Sequence, residues 1–337
     1  NSNNTLTFSG NYALGDSSST NSSTGFGGFL YNTGTANLAY VTVDGSSSTR
    51  SGGAIYSAGA DTSVSLTQAY FLNNKAGYNG ATGLENGTGN GGAVYVSDGN
   101  LTVNSSYFGN NSAYNKGTNG YQVDKGGAIY FSGSGNLTIQ GEVSVPGSSF
   151  MKYDTQFVGN TAARGGALYV ETTGGTVDIS NVSVIGNIGR DSGADGSSDN
   201  TIAYVSQGAG FWIGGTNSSR LTLENVTFAG NQQTDGGHTW GGGLYVQGVD
   251  LNLVNTTFYA NTANHGAALF INNTDVSIVD STIAYNMAMD SLHIGAGGGG
   301  VYVTGLNSGV AILNSIVTGN VNAAVDPASE YYQSDIV

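Results

Sequence analysis

The five residues GGAIY at 52–56 return as GGAVY at 91–95, GGAIY at 126–130 and GGALY at 165–169. A phrase that recurs at this spacing means one small structural unit stacked on copies of itself, because a single copy cannot bury its own apolar face. Taking the apolar residue after Ala as the anchor, the column reads Ile55, Val94, Ile129, Leu168, Phe211, Leu244, Leu269 and Val301. Leu30 of GGFLY precedes it, and the later copies drift through GAGFW, GGGLY, GAALF and GGGVY.

A second phrase follows each anchor: an apolar-x-apolar triplet, another apolar residue seven positions from its start, and Asn three further on. VSL leads to Phe71 and Asn74, LTV to Phe108 and Asn111, VDI to Val184 and Asn187, and LTL to Phe228 and Asn231. LNL, VSI and VAI continue to Phe258 and Asn261, Ile283 and Asn286, and Val317 and Asn320. One copy is split, with LTI at 137–139 and Phe157 and Asn160 well downstream. The shortest circuit, Leu244 to Leu269, takes 25 residues. A strand that regains the same side after one circuit lies parallel to its predecessor, about 4.8 Å away. The circuit is too long for a left-handed hexapeptide coil, and crossovers are right-handed as a rule. The pattern therefore predicts an all-β chain, a right-handed parallel β-helix of about nine to ten rungs. One domain is expected over residues 1–337, with 1–26 and 321–337 as terminal or inter-subunit segments.

Like then stacks on like. Val96, Phe131, Val170, Ile213, Val246, Ile271 and Val303 join the anchors on the inward face. The closing residues Asn74, Asn111, Asn160, Asn187, Asn231, Asn261, Asn286 and Asn320, with Asn11 before them, are expected to form an amide ladder at one corner. Asn181, Asn225, Asn255, Asp280 and Asn314 form a second polar column. The Gly pair lets the backbone turn where a Cβ would clash.

GGA(I/L/V) paired with Phe-x-x-Asn, strict at 52–55 and 126–129 and at Phe71, Phe108, Phe157, Phe228 and Phe258, resembles the repeat of the chlamydial polymorphic outer-membrane proteins. The resemblance runs from about residue 27 to 320. In that family the repeats form an autotransporter passenger displayed for adhesion, so the resemblance implies surface display and a non-catalytic role. This chain departs from the pattern in having no Cys and no C-terminal membrane-barrel segment.

Composition narrows the partners. Gly is 56 of 337 residues, Pro only 2 and charged residues 9%, which excludes collagen and a charge-driven disordered chain. A net charge of −14 repels nucleic acid. No apolar run is long enough for a transmembrane helix and no signal peptide opens the chain, so an exported protein is expected here in mature or trimmed form. Twelve Asn-x-Ser/Thr sequons, Asn100, Asn136, Asn225 and Asn255 among them, permit glycosylation, although a chain this rich in Asn, Ser and Thr supplies most by chance.

The residue after each anchor is aromatic: Tyr56, Tyr95, Tyr130, Tyr169, Trp212, Tyr245, Phe270 and Tyr302. Strand alternation sets this column opposite the interior, beside Ala and Gly at 54, 93, 128, 167, 210, 243, 268 and 300. Such a stripe either stacks sugars or another protein surface, a second copy included, or is covered by its own stacking and by inserted loops. Insertions gather after the Asn corner, at Lys75–Asn90, Ser112–Lys125, Ile188–Gln207, Gln232–Trp240 and Met287–Gly297, on what is commonly the recognition side of a solenoid.

His238, His265 and His293 fall at the same corner near Asp235 and Asp290, but their offsets from the anchors differ and no metal site is expected. Asp191, Asp195 and Asp199 lack a calcium-loop spacing and read as a solvated acidic loop. Two Gly-x-Gly-x-x-Gly matches at Gly87 and Gly295 follow from glycine abundance, and no cofactor is implied.

The expected function is therefore a non-catalytic extracellular or cell-surface β-helix with a structural or adhesive role. Its partners are expected to be itself, and glycans or a neighbouring cell surface. No amphipathic cap is legible at Asn1–Leu14 or Val321–Val337, and open strand edges invite head-to-tail joining into a fibre. One alternative is a monomeric autotransporter-type adhesin passenger. Another is a polysaccharide lyase or hydrolase, for which Arg50, Arg164, Arg190 and Arg220 are available but Asp178, Glu224 and Asp280 are widely separated.

Overall fold

A computed structural model of the chain describes residues 5–15, 24–78, 89–114, 123–142, 154–190, 205–216, 221–234, 238–289, 297–306, 308–323, 332–333 and 335. Among them there is no helix. The chain is a right-handed parallel β-helix with three sheets along its length. The anchor strands, from Leu30–Asn32 to Val301–Thr304, form a nine-stranded sheet. The two phrases that follow share one 17-stranded sheet, two strands per circuit. The seven-residue offset has a direct cause: one residue between the two strands takes a left-handed conformation, as at Gln68, Asn181, Asn225 and Asn255, with φ of 47–55°. At Val177–Ile185 and Leu221–Ala229 the two strands merge into one of nine residues.

Register holds letter by letter. Ile55 pairs with Val94, Val94 with Ile129, Ile129 with Leu168 and Leu168 with Phe211. The split copy rejoins the stack, with Leu137 opposite Val177 and Phe157 opposite Val184. One contiguous core results, and the anchors Ile55, Val94, Ile129, Leu168, Phe211, Leu244, Leu269 and Val301 are fully buried in it.

The core is filled by compensation between columns. Phe71, Phe108 and Phe157 stack at 5.3 and 5.0 Å, and Phe228 and Phe258 at 4.8 Å. Between these runs the column holds the smaller Val184, and the neighbouring anchor position enlarges to Phe211. Its ring meets Phe157 and Phe228 edge-on at 5.6 and 5.1 Å. Close packing needs such exchange of volume.

The small residues before the anchors are inside, which corrects their expected place beside the aromatic column. Ala54, Ala93, Ala128, Ala167 and Ala268 are wholly buried in the main core. Alternation fails there because the chain is still turning, and the strand begins only at the anchor. Their size is dictated by the phenyl column: a Cβ on Gly243 would sit 2.9 Å from the Phe258 ring. The preceding Gly pair turns the corner as expected. Its first member has positive φ, 71° at Gly52 and 67° at Gly126, and a Cβ on the second, Gly127, would lie 1.9 Å from the carbonyl oxygen of Gly166.

The third sheet was not legible as strands. It is built from pieces two or three residues long just after each corner Asn, such as Lys75–Ala76, Ser112–Ala113 and Thr262–Ala263, too short to show a period. All five ranges read as insertions therefore open with a strand. The first rung also starts earlier than residue 27, since Leu6–Ser9 already pairs with Val41–Asp44.

The amide ladder is continuous. From Asn74 to Asn320, each Asn gives both its backbone N–H and its Nδ2 to the Oδ1 of the Asn on the next rung, at 2.8–3.0 Å. The other Nδ2 hydrogen goes back to a carbonyl of the previous rung, as from Asn231 to Val184 at 2.9 Å. All eight are fully buried. Ser46 takes the place of an Asn between Asn11 and Asn74.

At the far end the ladder is closed. Val321–Ala323 pairs antiparallel with Tyr332–Gln333, and Asp335 Oδ1 accepts the backbone N–H and Nδ2 of Asn320 at 3.2 and 2.9 Å. This fold-back is a cap with no amphipathic signature.

Replacing Asn231 by Ala strips the acceptor from two buried donors of Asn187. The expected loss is about 2–5 kcal/mol in chemical denaturation, against less than about 1 kcal/mol for Asn314→Ala in the exposed outer column.

Candidate functional site

The aromatic column stands in register on the outer side of the nine-stranded sheet. Tyr31 heads it, then Tyr56, Tyr95, Tyr130, Tyr169, Trp212, Tyr245, Phe270 and Tyr302 follow rung by rung. From Tyr56 onward the rings stack face to face, with centroids 4.3–6.0 Å apart. The five central rings, Tyr130 to Phe270, are only 1–9% exposed and make a second apolar cluster separate from the core. Tyr56, Tyr95 and Tyr302 are half-buried, and Tyr31 is exposed. Over its central length the column is thus a covered stack rather than an open stripe.

Part of the cover comes from a column the sequence reading passed over, the residue just before each Gly pair. Lys125, Arg164 and Gln207 are joined rung to rung by parallel bridges, as are Trp240, His265 and Gly297. Lys125 Nζ lies 4.7 Å from the Tyr169 ring centre, and Trp212 Nε1 donates to Gln207 Oε1 at 3.2 Å. Trp240 packs on Phe270 at 5.8 Å and His265 on Tyr302 at 5.2 Å. Residue type varies freely along this column, so nothing in one sequence marks it except the fixed offset from Gly.

The far rim is polar. The Tyr169 hydroxyl donates to Glu171 Oε2 at 2.9 Å, and the Tyr245 hydroxyl to Gln247 Oε1 at 2.9 Å. Glu171 Oε2 also lies 3.7 Å from Lys125 Nζ. Burial pushes the phenol pKa values of Tyr56, Tyr95, Tyr130, Tyr169 and Tyr245 up; neighbouring phenols add to it at Tyr56, Tyr95 and Tyr169, and Glu171 at Tyr130 and Tyr169. Lys125 is pushed down, first by desolvation and then by the Arg164 guanidinium, with Glu171 opposing.

Among the other sequence candidates, the second polar column is bonded in two runs, Asn181 to Asn255 and Asp280 to Asn314. Asn225 Nδ2 donates to Asn181 Oδ1 at 3.2 Å, Asn255 to Asn225 at 2.5 Å, and Asn314 to Asp280. His265 lies in the covering column, whereas His238 pairs its backbone with Val205. His293, Asp235, Asp290, Asp191, Asp195, Asp199, Arg220, Gly87 and Gly295 lie outside the described residues, as does most of every insertion except Gln232–Trp240. Among the described residues no three His, Asp or Glu side chains come together as metal ligands. A shallow polar groove on the 17-stranded sheet is lined by Thr67, Gln68, Asn104, Ser105, Gln140 and Glu142.

The profile of the family described as "Right handed beta helix region" matches residues 154–335, more than half of the chain. No curated protein and no solved structure matches it.

The covered stack has a measurable signature in alkali. Above pH 10 an unfolded chain ionises its phenols, while the fold holds these five protonated, so stability present below pH 10 falls as pH rises beyond it. Phenolate absorbance is expected to show five of the twenty tyrosines ionising late or together with unfolding. Five phenols titrating freely in the folded chain would show the stack to be open.

Proposed function

The chain belongs to the right-handed β-helix family, and on that premise we propose that it is a non-catalytic structural and adhesive element, extracellular or displayed at a cell surface. One observation carries the reading: the repeat spends its distinctive side chains on itself. Eight buried amides bond rung to rung, and the central aromatic rings stack on each other beneath a polar cover. What remains to meet a partner is the outside of a stiff rod, about 40 Å long over nine anchor strands. The likeness of GGA(I/L/V) and Phe-x-x-Asn to the chlamydial polymorphic outer-membrane repeats supports surface display.

Head-to-tail self-association is part of the proposal. Leu6–Ser9 is exposed along its whole length, Leu6 by 63%. In the last rung Gly309–Leu313 and Ile316–Thr318 each pair on one side only among the described residues, with Ile316 60% exposed. Such edges favour another parallel strand. Among the described residues the Asp335 cap closes the amide corner and does not cover these two edges.

Sedimentation over a wide concentration range, with electron microscopy, tests this. Rods lengthening with concentration are expected, and a concentration-independent monomer would favour the monomeric adhesin alternative. Incubation with acidic and neutral glycans is expected to leave chain lengths unchanged; shortened chains would favour the polysaccharide-active alternative.

A further inference from the structure

The chain holds 8 Lys and Arg against 22 Asp and Glu, yet two of its cations stand side by side. Lys125 and Arg164 occupy successive rungs of the covering column, bridged backbone to backbone. Adjacent rungs are about 4.8 Å apart, and the two charges feel each other: the Arg164 guanidinium helps push Lys125 down. Like charges on neighbouring rungs repel, and an anion beside them offsets that repulsion.

Among the described residues the compensation is incomplete. Glu171 Oε2 lies 3.7 Å from Lys125 Nζ and already accepts the Tyr169 hydroxyl, and the buried Asp124 carboxylate is engaged by the backbone N–H of Ala163 beside Arg164. Arg164 has no ion-pair partner among the described residues, and its Nε is buried without a hydrogen bond. A buried guanidinium N–H left unpaired costs more than a neutral donor. Lys125 and Glu171 keep 25% and 44% of their side-chain surface exposed, and Arg164 is partly exposed although its Nε is not. The Tyr169 ring under Lys125 lowers the local dielectric and strengthens whatever charge binds there.

We propose that Lys125 and Arg164 form a binding site for an oxyanion, a carboxylate or a sulfate group. The guanidinium suits such groups because its N–H pairs match two oxygens at once, while the ammonium adds a point charge. A free inorganic anion and an acidic group carried on a glycan offer the same chemistry. The site does not depend on surface display or self-association, so a chain that stays monomeric still carries it.

Isothermal titration of the full chain at constant ionic strength, with sulfate and with trigalacturonate, tests the site. Binding of at least one probe is expected, weakened about tenfold or more by Arg164→Gln and less by Arg164→Lys. Glu171→Gln removes the competing charge and keeps an oxygen for Tyr169, so it is expected to tighten binding several-fold, while Arg190→Gln leaves it unchanged. Sulfate binding alone identifies a free-anion site; trigalacturonate binding that sulfate displaces identifies a glycan-borne one. Heat from neither probe, or equal affinity in wild type and a folded Arg164→Gln variant, overturns the proposal. Should Arg164→Gln not fold, unchanged or weaker binding by Glu171→Gln overturns it.

Discussion

Everything in this rod depends on a directional amide relay. Each corner Asn must present one oxygen to two donors behind it and its own N–H groups to the rung ahead and the rung behind. Asn alone meets these conditions in the space available. Asp lacks the donors and Gln adds a methylene that the corner cannot hold. A one-residue slip in any circuit would also turn inward side chains outward. The relay therefore fixes the register in which the anchors, the phenyl column and the aromatic stack align. Its direction explains its end: the Asp335 carboxylate accepts from Asn320 but carries no side-chain N–H to pass on, so it terminates a run of side-chain donors that an amide would continue.

The two sides of the nine-stranded sheet obey different rules from the same strands. Inside, volume is conserved across columns, as when Phe211 enlarges beside the smaller Val184 and Ala or Gly faces each phenyl ring. Outside, shape is conserved along one column, where flat rings repeat and the cover varies. That variability gives the rod local chemical differences without disturbing its repeat. Lys125 and Arg164 stand on the same backbone positions as Trp240 and His265, and give one stretch of an acidic protein a positive rim.

The anchors, the corner amides and the outer ladder could be read from the sequence because each needs one chemical type at a fixed offset, and that need recurs on every rung. Features without a period of their own or a fixed chemical type could not. The Ala column was misplaced because alternation was extended back into residues that are still turning. The third sheet escaped notice because a strand such as Lys75–Ala76 has no period. The covering column was hidden by its variety, since Ser51, Asn90, Lys125, Gln207 and Trp240 share a position and no chemistry. The role of Asp335 rests on one chain reversal that no repeat announces. For the aromatic column the sequence identified every ring from Tyr56 to Tyr302 but not how far they are covered, which depends on side chains from neighbouring rungs.

In-register stacking can be read most directly from paired nitroxide labels, since the chain has no Cys and labels attach only where one is introduced. Thr102 and Thr138 face each other on adjacent rungs, and Asp178 stands one rung beyond Thr138. Labels at 102 and 138 are expected about 5 Å apart at the backbone and strongly spin-exchanged, whereas labels at 102 and 178, about 10 Å apart, should show dipolar broadening without exchange. Exchange in the second pair and its absence in the first would contradict the register on which the whole account stands.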